Sequence, residues 1–199
     1  MADYAVNREA YESSEIAHPR LEEMPPKPKA GVPYIGEIVN AYPSETKNGN
    51  PCTKVEFDIH DGESAGYFQA DLEDRSQRFG ADNWSFDATQ TYYTDGTNNY
   101  SMKLFKGMIH DVEESNADYN FMATNLDLES LIGKVVGIAF KDRKYLDKNG
   151  EDAYALTLAR TYPVSEITGG TADLPKSTKP PEDDMIDHSV GSSEPDIPF

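Results

Sequence analysis

The chain has 199 residues, enough for one domain of ordinary size with extended ends or for two small ones. Its 36 acidic against 18 basic side chains leave a net charge of −18, and residues 31–163 alone carry 12 basic and 22 acidic groups. That balance excludes a uniformly basic surface, so any contact with phosphate must come from a local cationic strip.

A single cysteine, Cys52, excludes an internal disulfide and a zinc site built on several thiolates. No apolar run approaches a membrane span or a signal peptide. A soluble protein of a reducing cytoplasm is expected.

Residues 1–30 are polar and close on Pro25-Pro26-Lys27-Pro28-Lys29, which reads as a flexible N-terminal arm with an extended linker. From Gly31 the texture changes to Val, Ile, Tyr and Phe and holds to Pro163, so 31–163 is the folded domain. Residues 32–42 and 53–60 flank Asn48-Gly49, a dipeptide suited to a type I′ turn, and predict a first hairpin. A two-residue turn sets Tyr42 opposite Val55, Asn40 opposite Phe57 and Ile38 opposite Ile59 as one apolar face. Glu37, Lys54, Glu56 and Asp58 fall on the other.

A third strand is predicted over 65–72, and 73–100, with Trp84, Phe86, Tyr92 and Tyr93, reads as an insertion. Met102, Phe105, Ile109 and Val112, flanked by Leu104 and Met108, then recur at helical spacing and predict a helix over 101–115. A second hairpin joins 134–146 to 151–162 through Asn149-Gly150. Three strands, a helix and two strands is the chain order of the OB-fold, a five-stranded barrel whose face and loops commonly hold single-stranded nucleic acid. The predicted class is mainly β: an OB-fold barrel with one helix and an insertion, between a disordered arm and an acidic tail.

The second hairpin carries the candidate DNA site. With a two-residue turn, Tyr145 faces Tyr154, Arg143 faces Leu156, Lys141 faces Leu158 and Ala139 faces Arg160, with Tyr162 further along. Val136, Ile138 and Phe140 take the opposite side, against Ala155, Thr157 and Ala159. Tyrosine rings stack on unpaired bases while Lys and Arg neutralise the phosphates between them, whatever the base. The competing reading is that Tyr145, Tyr154 and Tyr162 cover the barrel. A three-residue loop in place of two swaps the faces.

Lys47 and Lys148, in the two hairpin loops, are candidates for phosphate contact because OB-fold ligands lie near those loops. Trp84 is either a stacking platform or part of a buried satellite cluster. Glu37, Glu56 and Asp58 repel phosphate, which sets the expected strand path away from them.

Residues 164–199 hold 8 acidic and 2 basic side chains with few apolar ones, and predict a disordered tail. The tail closes on Pro195-Asp196-Ile197-Pro198-Phe199. A terminal Phe suits an apolar pocket with Arg or Lys at its rim for the α-carboxylate, and Glu182, Asp183, Asp184, Asp187 and Glu194 suit a wider basic surface.

This ending resembles the tail of bacterial single-stranded DNA-binding proteins. Leu104-Phe105-Lys106-Gly107 and Leu131-Ile132-Gly133-Lys134-Val135-Val136-Gly137 resemble small proteins of phage replication modules. The resemblance implies a protein that binds and protects single-stranded DNA, without strong sequence preference, in replication, recombination and repair. It also implies recruitment of a helicase, polymerase or nuclease through Asp196, Ile197, Pro198 and Phe199, in the host cytoplasm if the chain is phage-encoded. It leaves room for a homo-oligomer. The alternative is a protein-interaction module that carries the tail to divert host replication proteins and binds no DNA.

His18, His60, His110 and His188 lack metal-like spacing, and nothing matches a phosphate loop or a nucleophile elbow. Acidic clusters such as Asp58, Asp61 and Glu63 are expected without function in so acidic a chain. Neither catalysis nor a metal or other cofactor is expected.

Overall fold

The computed structural model describes residues 24–96 and 98–178. What the sequence predicts for 1–23 and 179–199, including the tail residues Asp196, Ile197, Pro198 and Phe199, lies outside the described residues.

The elements run β1 (Pro33–Glu45), β2 (Pro51–Ile59), α1 (Tyr67–Phe79), β3 (Thr89–Tyr92), α2 (Asn99–Ser115), β4 (Val135–Leu146), β5 (Asp152–Tyr162) and α3 (Val164–Thr168). The strands form one antiparallel sheet in the order β3-β2-β1-β4-β5. The fold is thus mainly β. Strand β1 holds the sheet together by changing partners along its length, pairing with β4 over Pro33–Glu37 and with β2 over Gly36–Glu45. Its register slips between Ile38 and Asn40, and such a bulge bends the strand and adds local twist.

Both hairpins form, but neither uses the predicted two-residue turn. In the first, Thr46 N donates to Asn50 O and Gly49 N to Thr46 O, each at 2.9 Å, with Gly49 at φ 74°. In the second, Asp147 N donates to Glu151 O at 2.9 Å and Gly150 N to Asp147 O at 3.0 Å, with Gly150 at φ 81°. Thr46-Lys47-Asn48-Gly49-Asn50 and Asp147-Lys148-Asn149-Gly150-Glu151 are thus the same device, a type I turn followed by a left-handed glycine in a three-residue loop.

The longer loop moves each pairing by one residue. Glu45 partners Pro51 and Leu146 partners Asp152. In the first hairpin Ala41 therefore opposes Val55, Tyr42 opposes Lys54 and Asn40 opposes Glu56; beyond the bulge Ile38 opposes Phe57. The expected pairs of Tyr42, Asn40 and Ile38 are corrected accordingly.

The predicted strand over 65–72 is instead the start of helix α1. Its alternation is too short to outweigh the helical signals that follow: Asp71 with Arg75 and Asp74 with Arg78 form i,i+4 ion pairs at 2.8 Å, and Gly80 closes the helix in a left-handed cap. Gly66 at the N-cap has no side chain to offer, and Asp58 of β2 takes that role. Its carboxylate, 7% exposed, accepts from Phe68 N at 3.0 Å and Gln69 N at 3.1 Å, and from its own neighbour Ile59 N at 2.8 Å.

The third strand, Thr89–Tyr92, lies inside the segment expected to be an insertion. Helix α2 matches its prediction within two residues, capped by Asn98, whose Oδ1 accepts from Tyr100 N and Ser101 N. Phe105, Met108, Ile109 and Val112 are buried against the sheet, while Leu104 is exposed.

The inner face of the sheet supplies Ile38, Val55, Phe57, Val136, Ile138, Phe140, Leu156 and Leu158 to one core shared with α2 and with Phe68 of α1. Asn116 ties the end of α2 to β4, donating from Nδ2 to Val112 O and Val135 O, both at 2.7 Å. Residues 164–178 continue the folded unit along β4 and β5. Ile167 of α3 covers Gly137, Tyr162 Oη donates to Asp173 O at 2.6 Å, and Ser177 Oγ donates to Asp142 at 2.5 Å.

Candidate nucleic-acid interface

The three-residue loop separates the two halves of the cation and tyrosine set. Lys141 opposes Thr157, Arg143 opposes Ala155 and Tyr145 opposes Ala153 on the outer face; Tyr154 opposes Lys144 and Leu156 opposes Asp142 on the inner side. The expected facing of Tyr145 with Tyr154, Arg143 with Leu156 and Lys141 with Leu158 is therefore corrected. Phe140 holds Leu158 instead.

The predicted match of Ala139 with Arg160 does occur, because a second slip, between Ala139 and Phe140, restores the original phase. Arg160 is exposed, with its guanidinium 5.0 Å over the ring of Tyr162, but Tyr162 is 2% exposed beneath the 171–175 segment. That ring has no face left for a base. Arg160 lines a separate groove with Tyr100 and Lys103 of α2, between the edges of β3 and β5.

Lys141, Arg143 and Tyr145 remain as an exposed outer strip, Tyr145 at 46%. Lys47 and Lys148 are exposed at equivalent second positions of the two turns. The Asp147 carboxyl is held below its usual range by the backbone N–H groups of Glu151, Asn149 and Gly150. The turn is thereby organised by a charge that does not depend on the lysine beside it.

Arg143 reaches Phe86, its guanidinium 5.5 Å from the centroid of a ring that is 66% exposed. Phe86 opens the short 3-10 turn Phe86–Ala88 that leads into β3 and touches β5. Next to it, Asp87 is raised above its ordinary value by burial, against the pull of Lys27 and Arg143.

Phe86 is also one wall of a groove of about 610 Å³ on the outer face of β1, β2 and β3. Trp84 lines it as well, its ring fixed by Nε1 donating to Phe57 O at 3.1 Å and partly packed on the core. The groove floor comes from register alone. Asn40 and Tyr42 of β1, Lys54 and Glu56 of β2, and Thr89 and Thr91 of β3 are cross-strand partners on one face.

Glu56 sits in this floor, 8% exposed, accepting from Tyr42 Oη at 2.8 Å and Asn40 Nδ2 at 3.2 Å. Burial first, then Glu56, push the Tyr42 phenol up to about 12, so it stays a donor. No family model matches the chain. No curated protein matches it either.

The geometry therefore joins Lys141, Arg143 and Tyr145 to Trp84 through Phe86, and leaves Tyr154, Arg160 and Tyr162 elsewhere. It adds Asn40, Tyr42, Lys54 and Glu56, which the sequence reading set on mixed faces or away from the ligand. The signal for them was Thr46-Lys47-Asn48-Gly49 itself, since a hydrogen-bonding residue at the first position and glycine at the fourth is the pattern of a type I turn. That turn brings Asn40 to Glu56 and Tyr42 to Lys54.

Proposed function

We propose that this chain binds single-stranded DNA on the outer face of β1, β2 and β3 and protects it during replication, recombination and repair. The β3-β2-β1-β4-β5 order suits a five-stranded OB barrel whose closing seam would lie between β3 and β5. Helix α2 touches both edge strands. The two lysine-bearing turns flank the ligand face of such a barrel.

The observation that carries the reading is the Arg143–Phe86 stack opening onto a groove that also holds Trp84 and Lys54. Exposed rings take unpaired bases, and the cations beside them take the phosphates. The tail residues Asp196, Ile197, Pro198 and Phe199 would recruit a helicase, polymerase or nuclease, a role supported by their chemistry alone.

No described helix is long and apolar enough to cross a membrane, which agrees with action beside cytoplasmic DNA. The net charge of −18 favours the second reading, an interaction module that diverts replication proteins. Fluorescence anisotropy with a mixed-sequence 20-mer separates the two: micromolar or tighter binding that weakens with salt supports the first, and no binding to single strands at low salt rejects it.

A further inference from the structure

Two carboxylates line the groove: Asp82 is exposed, whereas Glu56 is buried in the floor. A phosphate path must avoid Glu56, but a base edge need not. Its two oxygens each accept one bond, from the neutral donors Tyr42 and Asn40, and a carboxylate oxygen accepts two. One acceptor position therefore remains on each of the two oxygens of a side chain that is 8% exposed and lines the groove. Such a pair is matched by two adjacent donors.

Resting on the DNA-binding reading, we infer that Glu56 reads guanine at one nucleotide position of the groove. In a single strand the Watson–Crick edges are free, and guanine alone offers two neighbouring donors there, N1–H and the N2 amino group. Cytosine and adenine each present one amino donor beside an acceptor. Thymine presents N3–H between two carbonyl oxygens, which face the carboxylate lone pairs unfavourably.

Phe86 and Trp84 supply apolar walls for the ring, and Lys54, two residues before Glu56 on β2 and on the same face, is placed for the adjoining phosphate. The groove volume falls within the range of about 300–1,000 Å³ common to small-molecule sites. Tyr42, its phenol raised, keeps its proton and holds the carboxylate in place at neutral pH.

The test compares a thymidine 12-mer with the same oligomer carrying one central guanine, and with one carrying inosine, which lacks the N2 amino group. For the natural chain the guanine oligomer binds about tenfold more tightly than the thymidine one, as expected for one forked contact, with inosine between them. Glu56→Gln keeps an acceptor for Tyr42 and removes the preference, so that the guanine and thymidine oligomers bind this variant equally, and an unchanged thermal midpoint reports an intact fold. Equal binding of all three oligomers by the natural chain overturns the guanine reading and leaves DNA binding standing. No binding of any of them overturns both.

Discussion

Replacing Lys141 and Arg143 together by alanine removes two cations from the outer strip of β4 without touching the core, because both are exposed and oppose Thr157 and Ala155. Each phosphate neutralised on a single strand contributes about 0.7 to the slope of log K against log salt. Two lost contacts lower that slope by about 1.4 and, at about 0.1 M salt, weaken binding roughly 25-fold. The assay is an anisotropy titration at four salt concentrations with a mixed-sequence 20-mer. Arg160→Ala is the internal comparison, since Arg160 lines the groove beside α2 and stands over Tyr162. Its slope is expected to match the natural chain. An unchanged slope in the double variant, or an equal drop for Arg160→Ala, refutes the assignment of the path to the face that carries Phe86.

Phe86→Ala removes the exposed ring beneath Arg143, and loss of one stacked base costs about 1–3 kcal/mol, read as a roughly 5- to 150-fold weaker Kd with the thermal midpoint unchanged. Asp58→Ala strips the first turn of α1 of its acceptor and leaves the buried N–H groups of Ile59 and Phe68 and the part-buried one of Gln69 without it, so chemical denaturation gives a loss of about 1–3 kcal/mol. Gly137→Ala sets a methyl 2.5 Å from Ile167 Cγ1 and 2.9 Å from Tyr162 O, and since a backbone oxygen cannot step aside the same measurement records a loss of about 1–3 kcal/mol.

The carboxyls of Asp58, Asp87 and Asp111 are all raised, chiefly by burial, so the native state binds these protons more tightly than the unfolded chain. Their contribution is complete below the unfolded carboxylate range, about pH 4, and is lost as pH rises through the folded values. Asp147, lowered instead, works in the opposite direction and is the one carboxyl clearly lowered among the described residues. The contribution of these carboxyls to the melting temperature is therefore expected to be larger at pH 4 than at pH 7.5, helped by reduced self-repulsion of a chain at −18. Substituting Asp58, Asp87 and Asp111 together by Asn should flatten the difference between the two pH values; an undiminished difference contradicts the account.

Much of the architecture is legible in the residues. Val, Ile, Tyr and Phe at strand spacing, the Asn-Gly dipeptides and the stripe Phe105, Ile109, Val112 locate four of the five strands and the main helix. The same local reading mistakes the beginning of α1 for a strand, because Gly66-Tyr67-Phe68 is apolar on both sides and the decisive ion pairs lie further along, at Asp71–Arg75 and Asp74–Arg78. It passes over β3, whose Thr89–Tyr92 is only four residues long and is defined by its pairing with β2.

Amino-acid order alone determines that an anionic, β-rich chain carries two Lys-Asn-Gly turns and a cationic stretch through Lys141 and Arg143. Which side chains share a surface was decided by the tertiary structure. A side chain alternates sides with every residue, so one extra loop residue or one bulge reverses a whole strand, and neither shift is visible until a partner strand is in place. That is why Tyr162 went under the chain that follows it, Phe86 came to Arg143, and Glu56 settled in the floor of the groove.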